Sequence, residues 1–388
     1  MERLPAWVEV DLDAMKSNLE KVRKLMGNGT RVLLVVKADA YGHGAVRIAQ
    51  FASQCGVHMF GVATIDEGKE LRENGITKPI LILSPILSSE IPGAIEYELA
   101  VSVSSYSFAE DVSRIAVAIG KKCPIHVEVD TGMGRAGVRA DVAVEEVEKI
   151  AALDGIELEG IFTHFPVSDV DEEFTLAQIR QFSQIVERLR AQGIDFKYVH
   201  SANSAGIINF PSSYFNLVRP GLVVFGNHPS INLKDRLELT PIMSFKTKLV
   251  LVKELEEGMS VSYGRTFIAT KKTTVGVIPV GYGHGLSHRL SNRGQVLFRG
   301  RRVPIIGRIT MDMTMIDLTG FDDPAVGEEI VLFGRQGDSE ITIDEIAGIV
   351  GTLNYEILCG ISKRVTRVYI KDGKVDSMKT LLGVRSSV

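Results

Sequence analysis

Cysteine is scarce in this chain of 388 residues: three, at Cys55, Cys123 and Cys359, with no C-x-x-C pair. That excludes a disulfide framework and a thiolate zinc site, and it suits a reducing compartment. Charge of one sign is lacking too. Lys plus Arg is 44 against 48 Asp plus Glu, a net −4, so the chain is not built to coat nucleic acid or an anionic membrane. No segment offers the roughly 18 consecutive apolar residues of a membrane helix. The N-terminal M-E-R-L-P-A-W-V-E-V-D-L has no apolar stretch of signal-peptide length, and both points favour a cytoplasmic protein. No G-x-G-x-x-G opens a helix-like stretch, which counts against a Rossmann unit. The histidines show no ligand spacing, so no metal is implied.

What is present is an apolar fraction of 45% in a chain too long for one small domain. Short apolar runs recur at 32–36, 59–63, 80–83, 99–103, 125–129, 158–162, 198–199 and 216–218. Several are continuous, as in strands buried on both faces. Helix signals lie between them: Thr64 with Glu67, and Ser107 with Glu110, both fit a capping box, and Asn74-Gly75 fits a helix C-terminus. About eight strand–helix repeats before residue 235 predict an α/β fold with a closed parallel (β/α)8 barrel, an open doubly wound sheet being the competing arrangement. After about 240 the pattern changes. Runs at 243–253, 273–280, 295–298 and 330–333 are separated by Gly-rich turns, and Thr342 with Glu345 is one of few helix signals. The expected division is 1–239 for the barrel and 240–388 for a mostly β domain. A strand at about 6–11, followed by a helix at about 13–27, fits either domain.

Functional residues of such a barrel sit at the C-terminal ends of its strands. Lys37 directly follows the first apolar run, a setting that favours a neutral amine able to form an imine or act as a base; a lysine snorkelling to solvent is the plainer alternative. It opens K-A-D-A-Y-G-H-G (37–44), which carries Tyr41 and His43. The loop V-D-T-G-M-G-R-A-G-V (129–138) frames one cation, Arg135, among three glycines. Thr163 and His164 follow the sixth barrel run, H-S-A-N-S-A-G (200–206) the seventh, and L-V-R-P-G-L (217–222) the eighth. Phosphate sites in this fold commonly use the loops after strands seven and eight. A lysine facing a phosphate site points to pyridoxal phosphate or to an aldolase-like sugar-phosphate enzyme.

These motifs, in this order from Trp7 to beyond Tyr355, resemble the alanine racemases. The resemblance implies a pyridoxal 5'-phosphate enzyme that interconverts L-alanine and D-alanine by two bases, supplying peptidoglycan in bacteria, and that works as a homodimer with shared active sites. It implies that Lys37 holds the cofactor as a Schiff base and is one base. Tyr263, in S-Y-G-R-T (262–266), would be the opposite-face base, reaching the partner subunit's site. Arg219 would face the pyridine nitrogen and keep it uncharged, since an arginine does not readily give up its proton. Arg135 would contact the cofactor's phenolic oxygen and the substrate carboxylate, and His164 would lie beside the ring. Tyr41, Ser204, Gly221, Leu222 and Tyr355 match phosphate-binding positions, and Met311 and Asp312, in R-I-T-M-D (308–312), match a partner-chain segment near the substrate carboxylate.

The chain departs from the family pattern at three places. Glu128 stands where many relatives carry a lysine, carbamylated in some; its expected role is a direct ion pair with Arg135, against the plainer reading of a barrel-wall carboxylate. His284 stands where relatives usually have an acid, and Thr310 where many have cysteine. A racemase for serine or lysine, an amino-acid decarboxylase of the same cofactor class and a non-enzymatic carrier of the cofactor are the rival readings. Arg219 and Tyr263 argue against the decarboxylase, and the β domain argues against the carrier.

Overall fold

The computed structural model describes residues 4–27 and 29–386. It divides into two compact units: Met15–Ala40 with Ala45–Thr240, and the residues up to Ala14 with Tyr41–Gly44 and those from Pro241 onward. The chain begins with strand β1 (Ala6–Asp11), which belongs to the second of these.

The first unit is a closed parallel barrel. Its strands are β2 (Arg31–Val35), β3 (Met59–Val62), β4 (Ile80–Ile82), β5 (Ala100–Val103), β6 (Cys123–Asp130), β8 (Ile156–Phe162), β9 (Tyr198–His200) and β10 (Leu217–Val218), with a two-residue β7 (Val138–Arg139) hung on the end of β6. β10 closes on β2 at Leu217–Arg31, and β5 joins β6 at Val101–Ile125, so no edge is left in the ring. The apolar runs of the sequence supply these strands because each must be buried twice, against the barrel interior and against the surrounding helices. Every residue of β3, β4 and β5 is buried. At about 1.5–3 kcal/mol for each large aliphatic side chain removed from water, this double burial is the main reason the runs settle as barrel strands.

Several helices begin where a side chain satisfies their first N–H groups. Thr64 caps Ile65–Glu73 in a complete capping box with Glu67, and Gly75 after that helix has φ +82°. The box expected at Ser107 and Glu110 does not form. The helix there is Tyr106–Ile119, and its cap is Ser105, whose hydroxyl accepts from the Phe108 N–H at 3.2 Å. Both serines offer the same chemistry, and the end of β5 two residues earlier selects the upstream one.

The second unit is built on a large, mostly antiparallel sheet. β1 lies inside it, antiparallel to Met243–Lys248 and parallel to Thr366–Lys371. The apolar stretch 243–253 splits into Met243–Lys248 and Leu251–Leu255, which pair with different neighbours, Glu329–Gln336 and Thr273–Ile278. Thr342 caps the helix Ile343–Val350, its hydroxyl accepting from Glu345 at 3.1 Å. Tyr41–Gly44 is tied into this unit. The buried Arg367 guanidinium donates from Nε to the Gly42 carbonyl at 3.1 Å, and the Tyr369 hydroxyl donates to the His43 carbonyl at 3.1 Å. Gly42, at φ +80°, has the Leu358 carbonyl where a Cβ would stand, so no larger residue fits. Among the described residues no helix is long and apolar enough to cross a membrane, and no group of three or more His, Cys, Asp or Glu is placed to hold a metal ion.

Candidate active site

Five loops at the C-terminal ends of the barrel strands β2, β6, β8, β9 and β10 carry the candidate residues. Lys37 leaves β2 and enters an unusual turn: Ala38, Asp39 and Ala40 have φ of 52°, 54° and 53°, and Tyr41 follows at 51°. Four successive non-glycine residues are therefore left-handed, a conformation disfavoured by roughly 1–2 kcal/mol per residue. Such a turn persists only where its surroundings over-determine it. The Ala38 N–H donates to Glu67 Oε1 at 2.6 Å, the Ala40 N–H to the Val36 carbonyl at 2.8 Å, and the Asp39 carboxylate accepts from the Ala45 N–H at 2.8 Å.

The loop after β6 folds around its own acid. Asp130 Oδ1 accepts from the N–H groups of Gly132 and Gly134 at 2.9 and 3.1 Å. Gly137, at φ +109°, would place a Cβ 2.7 Å from the Asp130 nitrogen. Arg135 rides on this loop with its side chain exposed. At the base of the loop Thr131 and Thr163 share a hydroxyl–hydroxyl bond of 2.7 Å, and Gln178 Nε2 donates to Thr131 at 3.1 Å.

Arg219, after β10, is buried and held by several hydrogen bonds. It is 4% exposed. Its NH2 group donates to the carbonyls of Thr163 and Ser201 at 2.8 and 3.0 Å and approaches His164 Nδ1 at 3.2 Å. NH1 meets His200 Nδ1 at 2.8 Å, and His200 Nε2 lies 2.8 Å from His126 Nδ1. Proton positions follow from the chemistry. A guanidinium only donates, so His200 Nδ1 accepts, His200 carries its proton on Nε2 and passes a hydrogen bond to Nδ1 of His126. All three histidines are held below the ordinary imidazole range, first by burial and then by the Arg219 charge, His126 down to about 3. Burial pulls Arg219 itself down to about 10, which leaves it protonated at neutral pH. Nε is the one guanidinium nitrogen of Arg219 without a partner among the described residues, and that donor chemistry fits a ring nitrogen acceptor.

Glu128, 3% exposed, does not form the expected ion pair: no Arg135 nitrogen lies within 4 Å of it, and its Oε2 has no hydrogen-bond partner among the described residues. Burial raises its carboxyl above the usual range, while the charges of Arg219 and Arg135 act in the opposite direction. The physical reason is placement. Glu128 belongs to the buried run of β6, whereas Arg135 sits out on the glycine loop beyond the strand's end.

After β9, Asn203 caps the short helix Ser204–Asn209, its Oδ1 accepting from Gly206 at 2.9 Å. The Ser204 hydroxyl accepts from the Gly221 N–H at 3.2 Å, which leaves its own O–H to donate. Leu222 is buried directly after Gly221. The barrel unit thus brings together Lys37, Arg135, His164, Ser204, Arg219, Gly221 and Leu222 on the loops at one set of strand ends.

The other unit carries the remaining residues. The Tyr41 and Tyr355 rings meet edge to face, 5.7 Å between centroids. Tyr263, 73% exposed, follows Ser262, whose φ is +64° and whose hydroxyl donates to the Arg308 carbonyl at 2.6 Å. Met311 is 54% exposed, and Asp312 pairs with Arg364 at 2.8 Å. The segment Gly281–Gly285 packs on this stretch: the Tyr282 and Gly283 N–H groups donate to the carbonyls of Thr310 and Met311 at 3.1 and 2.9 Å. His284 Nδ1 accepts from the Gly281 N–H at 3.3 Å, and burial followed by the Arg364 charge lowers its pKa. Sequence reading missed His200 as a partner of Arg219, His126 as the partner of His200, and Glu67 as a partner of Ala38. The signals were present, two histidines on strands and a capping-box glutamate, but neither names its partner across the fold.

Comparison with known proteins gives the family. The profile "Alanine racemase, N-terminal domain" matches residues 10–229 and "Alanine racemase, C-terminal domain" matches 242–369. Alanine racemase 2 of Caldanaerobacter subterraneus subsp. tengcongensis is 42% identical over 382 residues, 98% of each chain. Alanine racemase 1 of Clostridium acetobutylicum is 41% identical, over 96% of this chain and 97% of its own. A solved alanine racemase of Clostridium difficile 630 superposes with a TM-score of 0.94 at 36% identity, covering 98% of this chain and 99% of its own. That of Bacillus anthracis, solved with bound L-Ala-P, gives 0.92 at 35%, covering 98% of both. Both halves of the chain match the two halves of one family, in order and over almost their whole length, and the chain belongs to the alanine racemases.

Proposed function

We propose that this chain interconverts L-alanine and D-alanine with pyridoxal 5'-phosphate, as a cytoplasmic homodimer whose D-alanine product feeds peptidoglycan. The observation that carries the reading is Arg219: a buried guanidinium fixed by Thr163, Ser201 and His200, with Nε left to donate. Bound through Lys37, the cofactor supplies the electron sink that makes the Cα–H of alanine acidic. Arg219, which keeps its own proton, would donate to the ring nitrogen and so leave the ring uncharged. An uncharged ring would disfavour transamination and decarboxylation. Lys37 Nζ and Tyr263 Oη exchange the Cα proton from opposite faces, the tyrosine coming from the partner subunit. Two bases are wanted because one cannot easily reach both faces of a planar centre.

Arg135 binds the substrate carboxylate, assisted by the Met311–Asp312 backbone of the partner. His164, kept neutral by burial, would pack beside the ring. In the barrel unit the Ser204 hydroxyl and the backbone of Gly221 and Leu222 would hold the phosphate, with Tyr41 and Tyr355 of the other unit as the further candidates. The first test is D-alanine formation from L-alanine by purified protein supplied with pyridoxal phosphate. D-alanine that disappears with Lys37→Ala is the expected result. Bound cofactor without D-alanine would redirect the proposal to another amino acid, and absence of both would overturn it.

A further inference from the structure

The catalytic lysine opens a turn that its own sequence does not favour. None of Ala38, Asp39, Ala40 or Tyr41 is glycine, yet all four are left-handed. Three backbone N–H groups from two separate stretches converge on one carboxylate. Glu67 Oε1 accepts from Ala38 at 2.6 Å, and Oε2 accepts from Ala63 at 2.7 Å and Thr64 at 3.3 Å. The Oε2 bonds complete the capping box of Ile65–Glu73. The Oε1 bond does nothing for that helix. It fixes the first N–H after Lys37, at the point where the chain leaves β2 and turns left-handed.

We propose that Glu67 is a positioning residue for Lys37: its carboxylate couples the turn after β3 to the turn after β2, and so fixes the direction in which Lys37 leaves the barrel wall. The inference rests on the reading of Lys37 as the cofactor-bearing lysine. A carboxylate suits the task because both oxygens accept. A carboxamide has one accepting oxygen, so Gln at 67 must give up either the helix cap or the Ala38 N–H. The Ala38 bond, charge-assisted and short, is the one that reaches the active site.

The experiment compares Glu67→Gln and Glu67→Ala with Thr64→Ala, which removes the hydroxyl half of the same cap and leaves the Ala38 bond in place. Each protein is loaded with pyridoxal phosphate and treated with borohydride, and the fraction of Lys37-containing peptide carrying the reduced cofactor is measured by mass. Alanine kinetics are measured on the same samples. The Glu67 variants are expected to show less trapping at Lys37 and a roughly tenfold lower kcat, the effect of a displaced reacting group, with KM for alanine within about twofold. Thr64→Ala is expected to match the parent on both readouts. Should Glu67→Ala fail to fold, Glu67→Met, of similar size and without an acceptor oxygen, carries the comparison. Glu67 variants that trap and turn over like Thr64→Ala overturn the proposal and leave Glu67 a helix cap. A parent protein that traps no cofactor at Lys37 overturns the reading beneath it, and the two failures are distinguishable.

Discussion

The two units hold their functional side chains in opposite ways. In the barrel unit the groups are buried and interlocked: Arg219, His200 and His126 form one chain of hydrogen bonds, with Glu128 buried beside it and none of the four more than 4% exposed. In the β unit the expected groups stand outward, Tyr263 at 73% and Met311 at 54% exposure, and the ion pair Asp312–Arg364 is about half exposed. Burial gives a group a fixed proton and a fixed direction, because an unpaired partner in a low dielectric is expensive. Exposure leaves a group available to something outside its own unit. A guanidinium that must stay protonated belongs in the first environment, and a residue proposed to serve a partner's site belongs in the second.

Three substitutions sharpen this contrast, from the largest expected effect to the smallest. Tyr263→Phe removes a proton-transferring hydroxyl from an exposed ring. We predict a kcat lower by about 10³, within the range for loss of a general base, and no change in thermal midpoint. A fall in stability comparable to the fall in rate would show that the ring is structural. Arg219→Gln acts on the buried side. It strips donors from two carbonyls and from His200, and we predict a loss of about 3 kcal/mol of stability along with the activity. Urea unfolding reads this directly, and an unchanged midpoint would mean that the network does not hold the barrel ends together. Asp312→Asn should cost less than about 1 kcal/mol, because its ion pair is exposed to solvent. That small loss should shrink further in high salt; a loss that salt does not touch would mean that the pair is buried by a partner.

The legibility of the sequence follows the same division. The barrel strands were readable because double burial demands continuous apolar runs, and the motif residues at their ends fall on loops at one set of strand ends. The C-terminal strands were readable as strands but not in their pairing: nothing in 243–253 says that its two halves go to different neighbours. A motif names candidate residues one by one, as with Lys37, Arg135 and Arg219, and the fold sets these three on barrel-strand loops. Their supporting contacts were not readable. Glu67 reads as a capping residue and is one, yet its other oxygen serves a turn 29 residues away. Glu128 was expected on Arg135 and forms no ion pair with it, because residue type predicts a charge but not the distance to its partner.

Sequence alone determined the apolar periodicity, the glycines that permit close backbone approach, and the identity of the groups able to carry protons. Those are properties of single residues and their near neighbours. The tertiary structure decided which histidines accept from Arg219, which carboxylate holds the left-handed turn after Lys37, and that β1 pairs with strands more than 230 residues away. Those outcomes depend on barrel closure and on burial, which convert otherwise neutral choices of partner into differences of several kcal/mol.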